Sequence, residues 1–182
     1  MSKFNFTPTA IPEVILIEPK RFEDNRGFFI EMYNKREFAE VGINEDFVQD
    51  NFSFSHKGVI RGLHFSTKPH ETVKLVRCSK GEIMDVAVDV RPNSQTFGKW
   101  VSEILSNENN KMFIIPRGFA TGFCVLSESA EVSYKVTDYY FPESEVGIIY
   151  NDPDLAIEWG VENPVLSEKD KKLPSLKDWF KL

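Results

Sequence analysis

The sequence predicts an all-β sandwich or barrel, on three observations. Glycines and other turn residues punctuate the chain about every ten residues, the spacing of short antiparallel strands. Residues 83–90 alternate, with Met84, Val86, Val88 and Val90 on one face by period two. Helix signals are confined to two short stretches. Sixteen phenylalanines in 182 residues suit the same class, because aromatic side chains favour pleated, half-buried surfaces.

In chain order, residues 1–10 read as an arm that is ordered only through pairing. A strand is expected at 13–17, on the apolar run Val14-Ile15-Leu16-Ile17, and another at 27–33 after the turn Asp24-Asn25-Arg26. A short helix is expected over 35–41, ended by Gly42. Strands follow at 46–53 and 59–65. The clearest hairpin is expected next, with strand 74–78, turn Ser79-Lys80-Gly81-Glu82 and return strand 83–90. Asp85 is odd there, because its face, Ile83, Asp85, Ala87 and Asp89, is half apolar. Further strands are expected at 99–105, 112–115, 122–126, 130–139 and 148–150. Ser167-Glu168-Lys169-Asp170 has the form of a capping box opening a short turn, ended by Pro174. No repeat, low-complexity stretch or linker interrupts the chain, so residues 1–182 read as one domain.

A net charge of −6 argues against binding a nucleic-acid backbone. The apolar runs are far too short to span a bilayer, so no membrane partner is expected. The first seven residues lead into no unbroken apolar region, so no signal peptide is expected. Cys78 and Cys124 are too few for a disulfide framework or a zinc finger. A cytoplasmic location is the expectation.

Three histidines narrow the search for chemistry. His56 in Ser55-His56-Lys57-Gly58 and His70 in Lys68-Pro69-His70-Glu71 are expected to be solvated. His64 lies in Val59-Ile60-Arg61-Gly62-Leu63-His64-Phe65, an otherwise apolar strand. It is either a hydrogen-bonded core histidine or a base in a pocket beside a cation. For Arg61 and His64 to meet, the strand needs a bulge or the freedom of Gly62. No metal is expected: position 66 is Ser66, and Thr121 ends Pro116-Arg117-Gly118-Phe119-Ala120-Thr121, so His64 lacks histidine partners. Tyr134 shares a face with Val132 and Val136, which places its hydroxyl in an apolar interior. Tyr139 and Tyr140 precede Pro142 at a strand end, where rings either stack on a planar ligand or pack on the rim. Arg26, Arg61, Lys74 and Lys169 together would suit a small anion such as a diphosphate.

These residues fall into motifs. Phe47-Val48-Gln49-Asp50-Asn51, Arg61-Gly62-Leu63-His64-Phe65, Lys74-Leu75-Val76-Arg77-Cys78 and Gly81 to Asp89 come in that order. Pro116-Arg117-Gly118-Phe119-Ala120 and Tyr150-Asn151-Asp152-Pro153 follow. From about residue 11 to 174 the chain resembles the dTDP-4-dehydrorhamnose 3,5-epimerases. The resemblance implies a jelly-roll cupin, or double-stranded β-helix, with a few short peripheral helices. It also implies no cofactor and a homodimer that exchanges N-terminal strands. It assigns the base to His64, oriented by Asp170, the acid to Tyr134, and the lysine facing the sugar C4 oxygen to Lys74. Nucleotide and diphosphate contacts fall on Arg26, Phe29, Glu31, Gln49, Asp50, Asn51, Arg61, Glu145 and Lys169, and the ring stacked on thymine on Tyr140.

The implied chemistry explains these residue types. Protons on C3 and C5 of a nucleotide-linked 4-keto-6-deoxyhexose are α to the C4 ketone, so their removal gives an enolate. Histidine, with an ordinary pKa of about 6.5, suits proton removal at neutral pH. A fixed cation steadies the enolate, and such a contact is worth about 3 kcal/mol. Tyrosine, with an ordinary pKa near 10, starts protonated and returns the proton on the other face. Two departures concern the sugar end: Thr121 stands where many family members have histidine, and Ser66 where many have glutamine. They raise the alternative of a C3-only epimerase on a related 4-keto sugar, and a nucleotide-sugar binder without turnover is a separate alternative.

Overall fold

The computed structural model describes residues 2–181. Two antiparallel sheets face each other as a jelly roll. One holds β1 (Phe4–Pro8), β2 (Ile15–Pro19), β10 (Met112–Ile115), β7 (Lys74–Lys80), β12 (Ser129–Val136) and β5 (Gln49–His56), in that spatial order. The other holds β13 (Glu145–Gly147), β6 (Ile60–Ser66), β11 (Phe119–Val125), β8 (Glu82–Asp89) and β9 (Trp100–Ser106). A separate two-stranded ribbon joins β3 (Arg21–Asp24) to β4 (Gly27–Ile30). Helices are short: α1 (Lys35–Glu40), α2 (Leu176–Trp179) and a 3₁₀ turn at Asp170–Lys172.

Alternation explains how the sheets close. In β8, Ile83 and Ala87 point inward and pack with Val76, Leu105, Phe123 and Val132 between the sheets. Val86 and Val88 point outward and are covered by Leu155, Ile157, Trp159 and Leu176 of the C-terminal segment. A third cluster, around the fully buried Phe38 of α1, covers the outer side of β2, β7 and β10. Asn34 caps α1 by accepting from the backbone N–H of Arg36 and Glu37, and Gly42 turns the chain away at φ +86°.

The expected hairpin over 74–90 is not one. β7 and β8 lie in different sheets, and the turn at Gly81 carries the chain from one to the other. Period two identifies the strands but not their partners, which are non-local here: β7 pairs with β10 and β12, and β8 with β9 and β11. The strand expected at 148–150 sits earlier, at β13, although Ile148 still exchanges backbone bonds with Leu63. The strand expected over 130–139 stops at Val136, and β3 was not foreseen. The arm forms β1 and pairs with β2 of its own chain, Phe4 opposite Pro19.

The bulge needed to bring Arg61 and His64 together is present. Thr121 of β11 aligns with His64 but Phe123 with Arg61, so three steps of β6 match two of β11. Gly62 absorbs the extra residue at φ +133°, and a Cβ there would lie 2.5 Å from Gly122 Cα. Gly62→Ala is therefore expected to destabilise the fold by about 2 kcal/mol or more, read as a lowered urea midpoint.

Candidate active site

The interior faces of the two sheets enclose a cavity of about 490 Å³. The six-stranded sheet supplies two rows of side chains. Asn51, Tyr134 and Val76 align across β5, β12 and β7, and Gln49, Val136 and Lys74 form the next row. The five-stranded sheet supplies His64 beside Thr121, and Arg61, Phe123 and Asp85 in the adjoining row. His64 and Tyr134 thus stand on facing walls of one cavity, with Lys74 among its lining residues. A second hollow of about 400 Å³ shares His64, Lys74, Tyr134 and Glu145 with the first, and is rimmed by Gln49, Asn51, His70, Tyr139, Tyr140 and Phe141.

His64 Nε2 lies 2.7 Å from Asp170 Oδ1, and Asp170 is 3% exposed. Ser167 Oγ accepts from the Asp170 N–H at 3.0 Å, as the capping pattern predicts. Burial alone would raise the Asp170 pKa. The bond and charge of His64, with the Gly62 N–H and Ser167, outweigh it and hold the carboxyl below its ordinary range. A carboxylate only accepts, so Nε2 donates and Nδ1 is left as the basic nitrogen. Asp170→Asn is expected to lower kcat about 100-fold or more with little change in KM, because the tautomer is no longer fixed.

Tyr134 is half-buried. Burial and then the negative charge of Glu145 raise its pKa, against the opposing charge of Arg61, so the phenol keeps its proton. Enclosure pushes Lys74 down to about 8, while Glu145 and Asp85 favour its charged form. Glu145 receives Lys169 at 2.5 Å, and Arg61 Nε donates to Ser55 Oγ at 2.9 Å. The arrangement can take a proton from one side of a bound ring, supply one on the other, and place a cation beside a developing oxyanion.

Of the expected site residues, His64, Lys74, Tyr134, Asp170, Arg61, Thr121, Glu145 and Lys169 line the main cavity. Gln49, Asn51 and Tyr140 line the adjoining hollow. Four lie elsewhere in this chain. Asp50 points to the outer face by alternation and pairs with Lys135 at 2.8 Å. Arg26 and Phe29 ride on the β3–β4 ribbon, which pairs with neither sheet; Arg26 bonds Asp24, and Phe29 is 65% exposed. Glu31, just past the ribbon, holds Lys3 and Asn34. His70 is only partly solvated: it bonds Asp138 at 2.9 Å and stacks on Phe141 at 3.5 Å. Its polar sequence neighbours hid two partners about seventy residues away. Ser53 and Asp85 also line the cavity and were not assigned to it; the odd placing of Asp85 among apolar neighbours was the available signal. Among the described residues, no three His, Cys, Asp or Glu side chains gather as metal ligands would.

Fold and cavity together define a cupin-type jelly roll that encloses an acid–base site. Its relatives include sugar-nucleotide epimerases. The chain belongs to the dTDP-4-dehydrorhamnose 3,5-epimerase family, whose sequence profile matches residues 8–178. The chain is 53% identical over 167 residues to the dTDP-4-dehydrorhamnose 3,5-epimerase of Shigella flexneri, covering 91% of this chain and 92% of that one. It is 54% identical over 168 residues to the same enzyme of Pseudomonas aeruginosa, covering 91% and 92%. The dTDP-6-deoxy-D-glucose-3,5-epimerase of Legionella pneumophila, solved in complex with dTDP-4-keto-L-rhamnose, superposes with a TM-score of 0.92. It is 51% identical, and the match covers 96% of this chain and 93% of that one.

Proposed function

We propose that this chain epimerises C3 and C5 of a dTDP-linked 4-keto-6-deoxyhexose, giving dTDP-4-dehydro-L-rhamnose. The observation that carries this is the placing of the His64–Asp170 pair and Tyr134 on facing walls of one cavity with Lys74. His64 Nδ1 takes the proton from C3 or C5, and Asp170 stabilises the imidazolium that forms. Lys74 faces the C4 oxygen as it becomes an enolate. Tyr134 delivers a proton to the opposite face, which inverts the carbon. Both centres need the same base, cation and acid, so one site serves both. The rim of Tyr139 and Tyr140 suits the nucleobase, and Arg61 and Lys169 suit the diphosphate.

The same reading includes a homodimer and a cytoplasmic location. Phe22, Phe28 and Phe29 on the ribbon and Phe52 and Phe54 on the outer sheet face are exposed, an apolar surface that a second copy would cover. Such a copy would carry Arg26 and Phe29 to a cavity other than their own. Cys78 and Cys124 are unpaired and buried, in keeping with a reducing compartment. Incubation with dTDP-4-keto-6-deoxyglucose, followed by NMR of the product, tests the reading. Inversion at C3 and C5 is the expected result. Inversion at C3 alone selects the C3-only alternative, and stabilisation by dTDP without turnover selects the binder.

A further inference from the structure

Among the described residues, two buried polar side-chain atoms have no hydrogen-bond partner, Ser53 Oγ and Asp85 Oδ2, and both line the catalytic cavity. The carboxyl is the more telling. Asp85 is 1% exposed, on a face of β8 shared with Ile83, Ala87 and Asp89, and unlike Asp85 the Asp89 carboxylate is fully engaged, by Arg91, Ser94 and Thr96. The Val86 N–H serves the Asp85 carboxyl, but Oδ2 is left without a partner, and burying such an oxygen costs stability, so its position calls for a use.

The titratable groups on the elements around Asp85 are nearly all engaged elsewhere. Across β9, Glu103 is in register with it and is held 3.4 Å from Lys111. From β6, His64 is bonded to Asp170, and Arg61 to Ser55. From β12 comes the phenol of Tyr134, and from β13 Glu145, which Lys169 occupies. Phe123 of β11, in register with Asp85, carries no charge. That leaves Lys74 on β7, which also has no side-chain partner and is the one group whose charge acts on the Asp85 carboxyl.

We propose, on the reading of the site given above, that Asp85 is a positioning residue: its buried carboxyl acts through Lys74 and sets the pH range in which that lysine is a cation. Burial lifts Asp85 to about 8 and lowers Lys74 to about 8, which brings the two into one pH range where they titrate as a pair. As pH rises, the carboxyl releases its proton, and the negative charge it gains holds the proton on Lys74. Because the two are not hydrogen-bonded, the ammonium N–H groups stay free for the C4 oxygen. Glu145 supports the same charge, but its own carboxylate is already shared with Lys169.

The test is the pH profile of Asp85→Asn, an isosteric change, with dTDP-4-keto-6-deoxyglucose as substrate and dTDP-induced thermal stabilisation as the check on folding. The alkaline limb of kcat is expected to move down by about one pH unit. That gives a roughly three-fold loss near pH 7.5 and almost none near pH 6, with KM unchanged. Asp85→Glu is expected to restore part of the limb. A limb that stays in place in a folded Asn variant overturns the proposal, since a merely structural role would lower activity without moving it. If the Asn variant does not fold, NMR titration of Lys74 and Asp85 in the wild-type enzyme decides. Two coupled steps support the proposal, and two independent ones overturn it. Failure of the wild-type chain to turn over this substrate at any pH would instead sink the functional reading, and the NMR titration reads the pair regardless.

Discussion

Tyr134→Phe is expected to separate proton removal from inversion. The base on the opposite wall is untouched, so His64 still takes the proton from C3 or C5 and forms the enolate. In heavy water the imidazolium exchanges its proton with solvent and returns a deuteron to the same face. Deuterium therefore enters with configuration retained, while inverted product falls by about 10²–10⁴-fold. His64→Asn differs in kind: exchange and inversion fall together by a similar factor, because no enolate forms. In both variants dTDP is expected to bind as before, since the Tyr140 rim and Lys169 are intact. The pair of results reads the two walls one at a time. NMR of recovered substrate and product checks it. Loss of exchange in the Phe variant would mean that Tyr134 takes part in forming the enolate.

Lys74→Met is expected to lower kcat by about 10²–10³-fold, the effect of removing one fixed oxyanion contact. The pH dependence has a definite sign. Because enclosure pushes Lys74 down to about 8, the wild-type enzyme loses its cation as pH rises through that value, and kcat falls. Lys74→Arg, whose guanidinium stays charged, is expected to lack that fall, whatever its absolute rate. Stability runs the other way. Lys74 binds its proton more weakly folded, at about 8, than an ordinary lysine does, at 10.5, so holding the charge costs stability below pH 8. The Met variant is therefore expected to melt about 2–4 °C higher at neutral pH. The gain shrinks as pH rises from about 8 toward 10.5, where the folded and unfolded lysine are both neutral. Calorimetry at neutral and alkaline pH checks it.

Local signals carried much of the fold. Alternation in 83–90 and the apolar run at 112–115 correspond to β8 and β10, and Gly42 ends α1. What alternation does not encode is which strands meet. β7 and β8 are adjacent in sequence and lie in different sheets, because the jelly roll pairs strands across long separations. The bulge at Gly62 was legible for a physical reason: two polar side chains three residues apart in a strand share a face only with one extra residue between them. The cavity lining was legible where a residue sat in a motif, as His64 and Lys74 do. Arg26 and Phe29 of the β3–β4 ribbon belong to none of the quoted motifs, and they lie off the cavity of their own chain. Asp85 was visible as an anomaly but had no partner in sequence to give it a role. Lys74 and Asp85 sit eleven residues apart, on strands of opposite sheets, and only closure of the barrel brings them to one cavity.

The central claim is that one base on one wall serves both carbons next to the ketone. Incubating the wild-type enzyme with dTDP-4-keto-6-deoxyglucose in heavy water, and reading deuterium at each carbon by NMR, tests it most directly. The arrangement of His64, Lys74 and Tyr134 predicts deuterium at both C3 and C5, with inversion at each. Deuterium at neither carbon, in protein that binds dTDP, would contradict it.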